Sequence, residues 1–309
     1  MEHVDIELRQ QAFSRIQHLE RVYGDDIPWQ AIEAGFIVDG RRILFASRAV
    51  GIFRPKQMRH GALSIKTVQP RAGRTNPYSD HELEKGAFYY SLQGDDPDNH
   101  HNRLLVESME ARTPLIYFHA VAPSRYKAIW PCYITDINRG GLHCYVAVGR
   151  PEYVASTAWS GIERRDLPDE TERRYIVREV RTRLHQATFR EMVLSAYGRR
   201  CAMSTLPVET LLDAAHIIPD SEAAGVASVN NGIALSRIHH GAYDADLIGI
   251  DADGRVHISD ALMETMDGPL LETGLKALNG QRIRLPRNAA HHPDKDSLAL
   301  RYERFCSSL

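Results

Sequence analysis

The stretch Leu211–Asp244, LLDAAHIIPDSEAAGVASVNNGIALSRIHHGAYD, constrains this chain more than any other. It opens on an apolar run of strand character that ends in a histidine. A loop of small and polar residues leads to Asn231-Gly232, and a short helix-compatible run follows with His239, His240 and Asp244. His216, Asn231, His240 and Asp244 are separated by 15, 9 and 4 positions. A histidine that ends an apolar strand has its ring held rigidly, and an asparagine in the next loop can hold that ring by a hydrogen bond. Residues four apart on a helix share one face, so His240 and Asp244 suit two ligands of one ion. A lone histidine is more often a core or surface residue than a ligand, but this set comes in a fixed strand–loop–helix order.

The same donors are the parts that phosphodiester hydrolysis requires: a base for water, charge neutralisation at phosphorus, and help for the leaving oxygen. A histidine with an ordinary pKa of about 6.5 can be the base at neutral pH. A cation held by few protein ligands, with positions left for water, can meet the other two needs.

A chain of 309 residues is long enough for two domains. The strand pattern lapses over 150–170, which contains two prolines, so a linker is expected there. The expected division is 1–150, a connecting helical segment 151–184, and 185–309. There is no run of 18 apolar residues, which excludes a spanning helix. The N-terminus MEHVDIELRQ is charged, without an apolar signal core. Cys132, Cys144, Cys201 and Cys306 lack paired spacing, which fits a reducing cytoplasm better than a disulfide framework.

Along the chain, Ile6, Phe13, Ile16, Leu19 and Val22 predict an amphipathic helix over 3–22, and an Asp39-Gly40 turn predicts a hairpin within 36–53. From Arg41 to Ser79 there is no acidic residue, while Arg41, Arg42, Arg48, Arg54, Lys56, Arg59, Lys66, Arg71 and Arg74 are basic. Phosphate contacts supply most non-specific DNA affinity. Arg54, Lys56, Arg59, Lys66, Arg71 and Arg74 are therefore the expected DNA-contacting set, the alternative being a solvated face neutralised by acidic neighbours. Strands dominate 86–149, with one helix from Asp98 onward. Tyr78, Tyr89, Tyr90, Asp95, Asp96 and Asn102 combine aromatic faces with polar groups, as a base-reading pocket needs; tyrosines in strands are also common core residues. The segment 170–197 lacks Gly and Pro and reads as a helix with Phe189, Val193 and Ala196 facing inward.

Ala214-Ala215-His216-Ile217, Asn231-Gly232 and His240–Asp244 together resemble the HNH, or ββα-metal, nuclease family, in the branch of predicted restriction endonucleases. The resemblance extends over about 172–309 and implies His216 as general base, Asn231 as the residue that orients it, and His240 as a metal ligand. Nuclease colicins of the same superfamily, with a helix ligand pair four apart, imply Asp244 as the second ligand. The implied catalytic set is thus His216, Asn231 and His240, and the metal set His240, Asp244 and Asp213. Relatives often place a metal-binding residue where Ala215 stands; Asp213 is the nearest carboxylate, but in an ideal strand it points away from His216. Relatives also often carry a zinc knuckle, and its matching positions are Cys201, Ser204, Ser236 and His239. Serine is a poor zinc ligand, so no structural zinc is expected and His239 is expected to be packed or hydrogen-bonded.

More loosely, GIFRPKQM, ALSIKT, PYSD and the segment Tyr90–Tyr117 resemble the SRA-type, PUA-like domains that flip and read modified cytosine. The implied architecture is α+β: a curved PUA/SRA-like β-barrel with flanking helices, a helical linker, and a ββα-metal nuclease domain. The implied partner is double-stranded DNA bearing a modified cytosine, and the implied cofactor is Mg²⁺ or Mn²⁺. One such centre cuts one strand, so a double-strand break implies a homodimer or sequential nicks. The rival readings are a non-catalytic reader of modified DNA with a degenerate HNH domain, and a nuclease without modification selectivity.

Overall fold

The computed structural model describes residues 3–67, 87–149, 170–222, 225–266 and 268–308. The chain forms two compact units, Met1–Ala187 and Thr188–Leu309.

The first unit begins with α1 (His3–Tyr23). Its predicted apolar stripe is real: Phe13, Ile16 and Leu19 are buried, joined by Leu8 and Ala12. Arg9 on this helix is fully buried and donates to the carbonyls of Ala62 and Pro114 at 2.8 and 2.6 Å, which offsets the cost of burying a guanidinium. Then come β1 (Ile27–Pro28), α2 (Trp29–Glu33), β2 (Phe36–Val38) and β3 (Arg41–Ile43). The β2–β3 hairpin turns on Asp39 and Gly40, with φ of 48° and 72°. Two positive φ values in a two-residue loop match the right-handed twist of the flanking strands.

The main sheet is built from β4 (Ile52–Phe53), β5 (Ser64–Lys66), β6 (Phe88–Ser91), β7 (Leu115–Ala122), β8 (Arg125–Asn138) and β9 (His143–Val148), with β1 joined to β8. Its order is β4-β5-β7-β8-β9-β6; β5 pairs parallel with β7 and the other pairings are antiparallel. Both faces are covered, and β7 shows it by alternation: Ile116 and Phe118 pack with α1 and α2 residues, while Leu115 and Tyr117 pack with Leu104 and Leu105 of α3 (His100–Glu110). A long helix, α4 (Glu170–Ala196), adds Ile176 and Val177 to the second of these cores.

The second unit starts with the last turns of α4, which end at Gly198 in a left-handed conformation, φ 61°. Next come β10 (Leu212–His216), β11 (Gly232–Ser236) and α5 (Arg237–Asp244), then the hairpin β12 (Ile248–Ile250) and β13 (Val256–Ile258). Two short helices, α6 (Asp260–Glu264) and α7 (Pro269–Gly274), precede α8 (Lys295–Ser307), whose N-cap Asp294 accepts from the Ser297 amide. Tyr197, Leu212, Ile217, Tyr243, Ile248 and Leu298 share one core. Arg301 of α8 fixes α5 beneath it, donating to the Tyr243 carbonyl and pairing with Asp246. Among the described residues no helix is long and apolar enough to cross a membrane.

Candidate active site

β10 and β11 pair antiparallel in an unbroken register from Leu212↔Ser236 to His216↔Gly232. The ladder therefore delivers His216 opposite the glycine that follows Asn231. That glycine is required by close approach: a Cβ there would lie 2.3 Å from Val193 and 2.9 Å from Phe189. The space belongs to Phe189, whose ring stacks on His216 with centroids 3.9 Å apart and planes 12° from parallel. The stack fixes the imidazole plane. His216 Nε2 is buried and has no hydrogen-bond partner among the described residues. Burial holds this imidazole below the ordinary histidine pKa, against the pull of Asp220, with His240 lowering it further and Asp244 and Asp213 raising it. The imidazole is thus uncharged at neutral pH.

His240, on α5, sits between two carboxylates. Nδ1 is 3.2 Å from Asp213 Oδ2, and Nε2 is 3.2 Å from Asp244 Oδ2. A neutral imidazole has one N–H, so both contacts are hydrogen bonds only when His240 carries two protons. The bond to Asp213 accordingly raises its pKa, against burial. Asp213 responds in the opposite sense: burial would raise its pKa, but His240, the Ala214 amide and Arg190 together hold its carboxyl below the usual range. Arg190 is the next residue to Phe189 on α4; it approaches Asp213 at 3.8 Å and donates to the carbonyls of Glu209 and Leu212 at 3.3 and 3.0 Å. No bulge brings Asp213 in. The strand is regular, and α5 carries His240 to it.

Asn231 does not hold the His216 ring. Its buried side chain accepts from the Ile218 amide at 2.9 Å and donates to the carbonyls of Ile218 and Val226 at 3.0 and 3.1 Å. Its own carbonyl accepts from the Ile217 amide. It clamps the loop on both sides of the segment that leaves β10, so it positions His216 through the backbone.

The four positions that match a zinc knuckle do converge. Cys201 Sγ is 3.2 Å from His239 Nδ1 and accepts from the amides of Ser204 and Ser236 at 3.4 and 3.3 Å, while His239 Nε2 meets the Gly274 carbonyl at 2.8 Å. Against the effect of burial, these donors bring the Cys201 thiol down to about 6, and Cys201 with Gly274 raises the His239 pKa. His239 is hydrogen-bonded on both nitrogens, and Ser236 caps α5 by accepting from the His239 amide.

Whether the centre suits a divalent cation depends on its donors. One imidazole and two carboxylates gather at His240, Asp213 is tightly fixed, and Asp244 is largely exposed, its side chain 62% accessible. Mixed nitrogen and oxygen donors with room for water suit Mg²⁺ or Mn²⁺. The set fits in its chemistry; among the described residues, three such side chains do not stand preassembled as a cage.

The described members of the expected DNA- and base-contacting sets in the first unit differ in exposure. Lys56 and Arg59 are exposed. Arg54 is held by Glu107 at 3.0 Å. Lys66 lies in β5, between β4 and β7, and is buried, so it is not part of an exposed basic face. Arg71, Arg74 and Tyr78 lie outside the described residues. Tyr90 is buried against Tyr117, and its hydroxyl donates to the Lys66 carbonyl. Asn102 is buried and braces the preceding loop: it accepts from the Gln93 amide and donates to the Gln93 and Asp96 carbonyls. Asp96 accepts from the Asp98 amide, and Asp95 is exposed. Tyr89 is partly accessible and stacks on His143 at 4.1 Å. Of the five described pocket candidates, Tyr90 and Asn102 are therefore occupied by the fold.

Residues 201–251 match the HNH endonuclease family model. Asp213, His216, Asn231, His240 and Asp244 all fall inside that span, whereas Phe189 and Arg190 precede it. No curated protein matches the chain. Among solved structures, a modification-dependent restriction endonuclease, TagI, aligns over 79% of this chain and 82% of its own, with 16% identity and a TM-score of 0.31; a superposition of that quality does not by itself establish a shared fold. The chain therefore carries an HNH endonuclease domain in its second unit, and its enzyme class is that of a DNA-cleaving hydrolase.

Proposed function

We propose that this protein is a metal-dependent DNA endonuclease in which His216 removes a proton from the attacking water. The observation that carries this is an imidazole kept neutral by burial and locked in plane by Phe189, on the same strand as Asp213. A base must be uncharged and rigid to work near pH 7, and this one is both.

His240, Asp213 and Asp244 would hold the cation. Bound there, it would neutralise charge on the phosphate and on the leaving 3′ oxygen. The protein's part is to keep the donors together: Arg190 and the Ala214 amide fix the Asp213 carboxylate, and α5 fixes His240. Since both His240 nitrogens face carboxylates, one N–H must be given up before that nitrogen can ligate. Asn231 supports His216 through the loop backbone, which makes it a positioning residue.

The proposal extends to a modification-dependent enzyme whose first unit, PUA/SRA-like, reads a modified cytosine by base flipping, and to cutting of both strands by a homodimer or by sequential nicks. What supports the modification reading is the order of sequence segments between Gly51 and Tyr117. A reader that binds modified DNA without cutting is the second reading, favoured by Ala215, where relatives often place a ligand.

Cleavage of matched unmodified, methylated and hydroxymethylated duplexes in Mg²⁺ and in Mn²⁺ tests these together. Metal-dependent cutting confined to a modified duplex is expected. Equal cutting of all three would remove the modification reading, and tight binding without cutting in either metal would overturn the nuclease.

A further inference from the structure

The first unit contains a group of residues that neither the hydrolytic site nor its support uses. Lys66 is 6% exposed, yet no carboxylate pairs with it among the described residues. Its ammonium has one weak acceptor, the Arg48 carbonyl at 3.3 Å, and lies 5.1 Å from the centroid of the Trp29 ring. The Arg48 guanidinium lies 5.2 Å from the same centroid. Two cations thus share one indole, and Arg48 lowers the pKa of Lys66 in addition to the larger effect of burial. Trp29 is 2% exposed, and its Nε1 has no partner among the described residues.

This arrangement is costly as it stands. A cation–π contact returns less than an ammonium loses on leaving water, and the like charge beside it adds repulsion. A buried N–H without an acceptor adds to the deficit. Arg48 keeps access to solvent, with 63% of its side chain exposed and a loose ion pair to Glu33 at 3.6 Å. The missing component is an anion with several acceptor oxygens, placed where an exposed arginine can deliver it to a recessed lysine.

We infer that Trp29, Arg48 and Lys66 form a phosphate-binding site of the first unit, and that in this DNA-cleaving enzyme it takes a backbone phosphate of the duplex. The identification of the phosphate's source rests on DNA being the substrate. The site itself does not depend on His216 or on cleavage.

The test uses the full chain with R48M, K66M and the double variant, in EDTA so that no cutting intervenes. Binding to an unmodified duplex is measured across a salt series, and melting is followed with and without inorganic phosphate. Neutralising one phosphate contributes a slope of about 0.9 to log K against log salt. Each single variant is expected to bind several-fold more weakly and to flatten the slope by up to that amount, and the double variant to lose about one phosphate rather than two. K66M is expected to melt no lower than the parent in phosphate-free buffer, since it removes an uncompensated buried cation. If DNA binding is unchanged but phosphate raises the melting temperature of the parent and not of R48M, the site holds and its ligand is a free phosphate. If both variants keep the parent's DNA affinity, salt slope and phosphate response, there is no phosphate site here. R48M changes an exposed residue and stays informative even if K66M fails to fold.

Discussion

Replacing Asn231 separates two ways in which this amide could serve His216. In the structure it makes three hydrogen bonds, all to loop backbone: one accepted from Ile218, two donated to Ile218 and Val226. At about 0.5–1.5 kcal/mol net for each bond, Asn231→Ala should cost about 2–3 kcal/mol. That corresponds to a fall of roughly 10 °C in the melting of a domain of this size. Asn231→Asp is the sharper probe. It keeps the acceptor for the Ile218 amide but turns a carboxylate oxygen toward two carbonyls in a buried place, so it should destabilise at least as much as Ala. Were Asn231 to act by holding the imidazole, a carboxylate would do that well and Asn231→Asp would retain activity. Calorimetry and single-turnover cleavage of the two variants decide the matter. An Asp variant that melts with the parent and cuts at its rate would refute the clamp.

Other consequences follow from the same geometry. Phe189→Ala removes the ring that stacks on His216 and should lower kcat by an order of magnitude or more with KM little changed, while Phe189→Tyr should recover most of it; equal loss in both would argue against stacking. The acid limb of kcat/KM should lie below pH 6.5, because burial lowers the pKa of His216 and the base is lost only when it protonates; a limb above 7 would contradict this. Asp213 has a depressed pKa, so its stabilisation is full above its unfolded value, about 3.9, and is lost as pH falls through the folded value. Acid titration of stability should show that loss in the parent and not in Asp213→Asn.

What could be read from the sequence was chemistry with local spacing. His216, His240 and Asp244 were visible because residue type and periodicity are local properties, and the β2–β3 turn was visible in Asp39-Gly40 for the same reason. Contacts made across the chain were not. Phe189 showed only as an inward-facing helix residue; the hint that it reaches His216 is Gly232, a residue that must be small because Phe189 and Val193 crowd it. Strand alternation gave no sign that His240 would come to Asp213. Counting charge between Arg41 and Ser79 put Lys66 on a surface, although Ala62, Leu63 and Ile65 around it mark a strand buried on both faces. Asn102 looked like a base-reading amide because an amide that braces a loop has the same side chain.

The most direct test of the central claim is single-turnover cleavage by His216→Ala in Mg²⁺, with DNA binding measured in parallel. Loss of a general base should slow cleavage by about 10²–10⁴-fold, with affinity for the duplex preserved. Cleavage at the parent's rate by a folded, DNA-binding His216→Ala would show that another group activates the water.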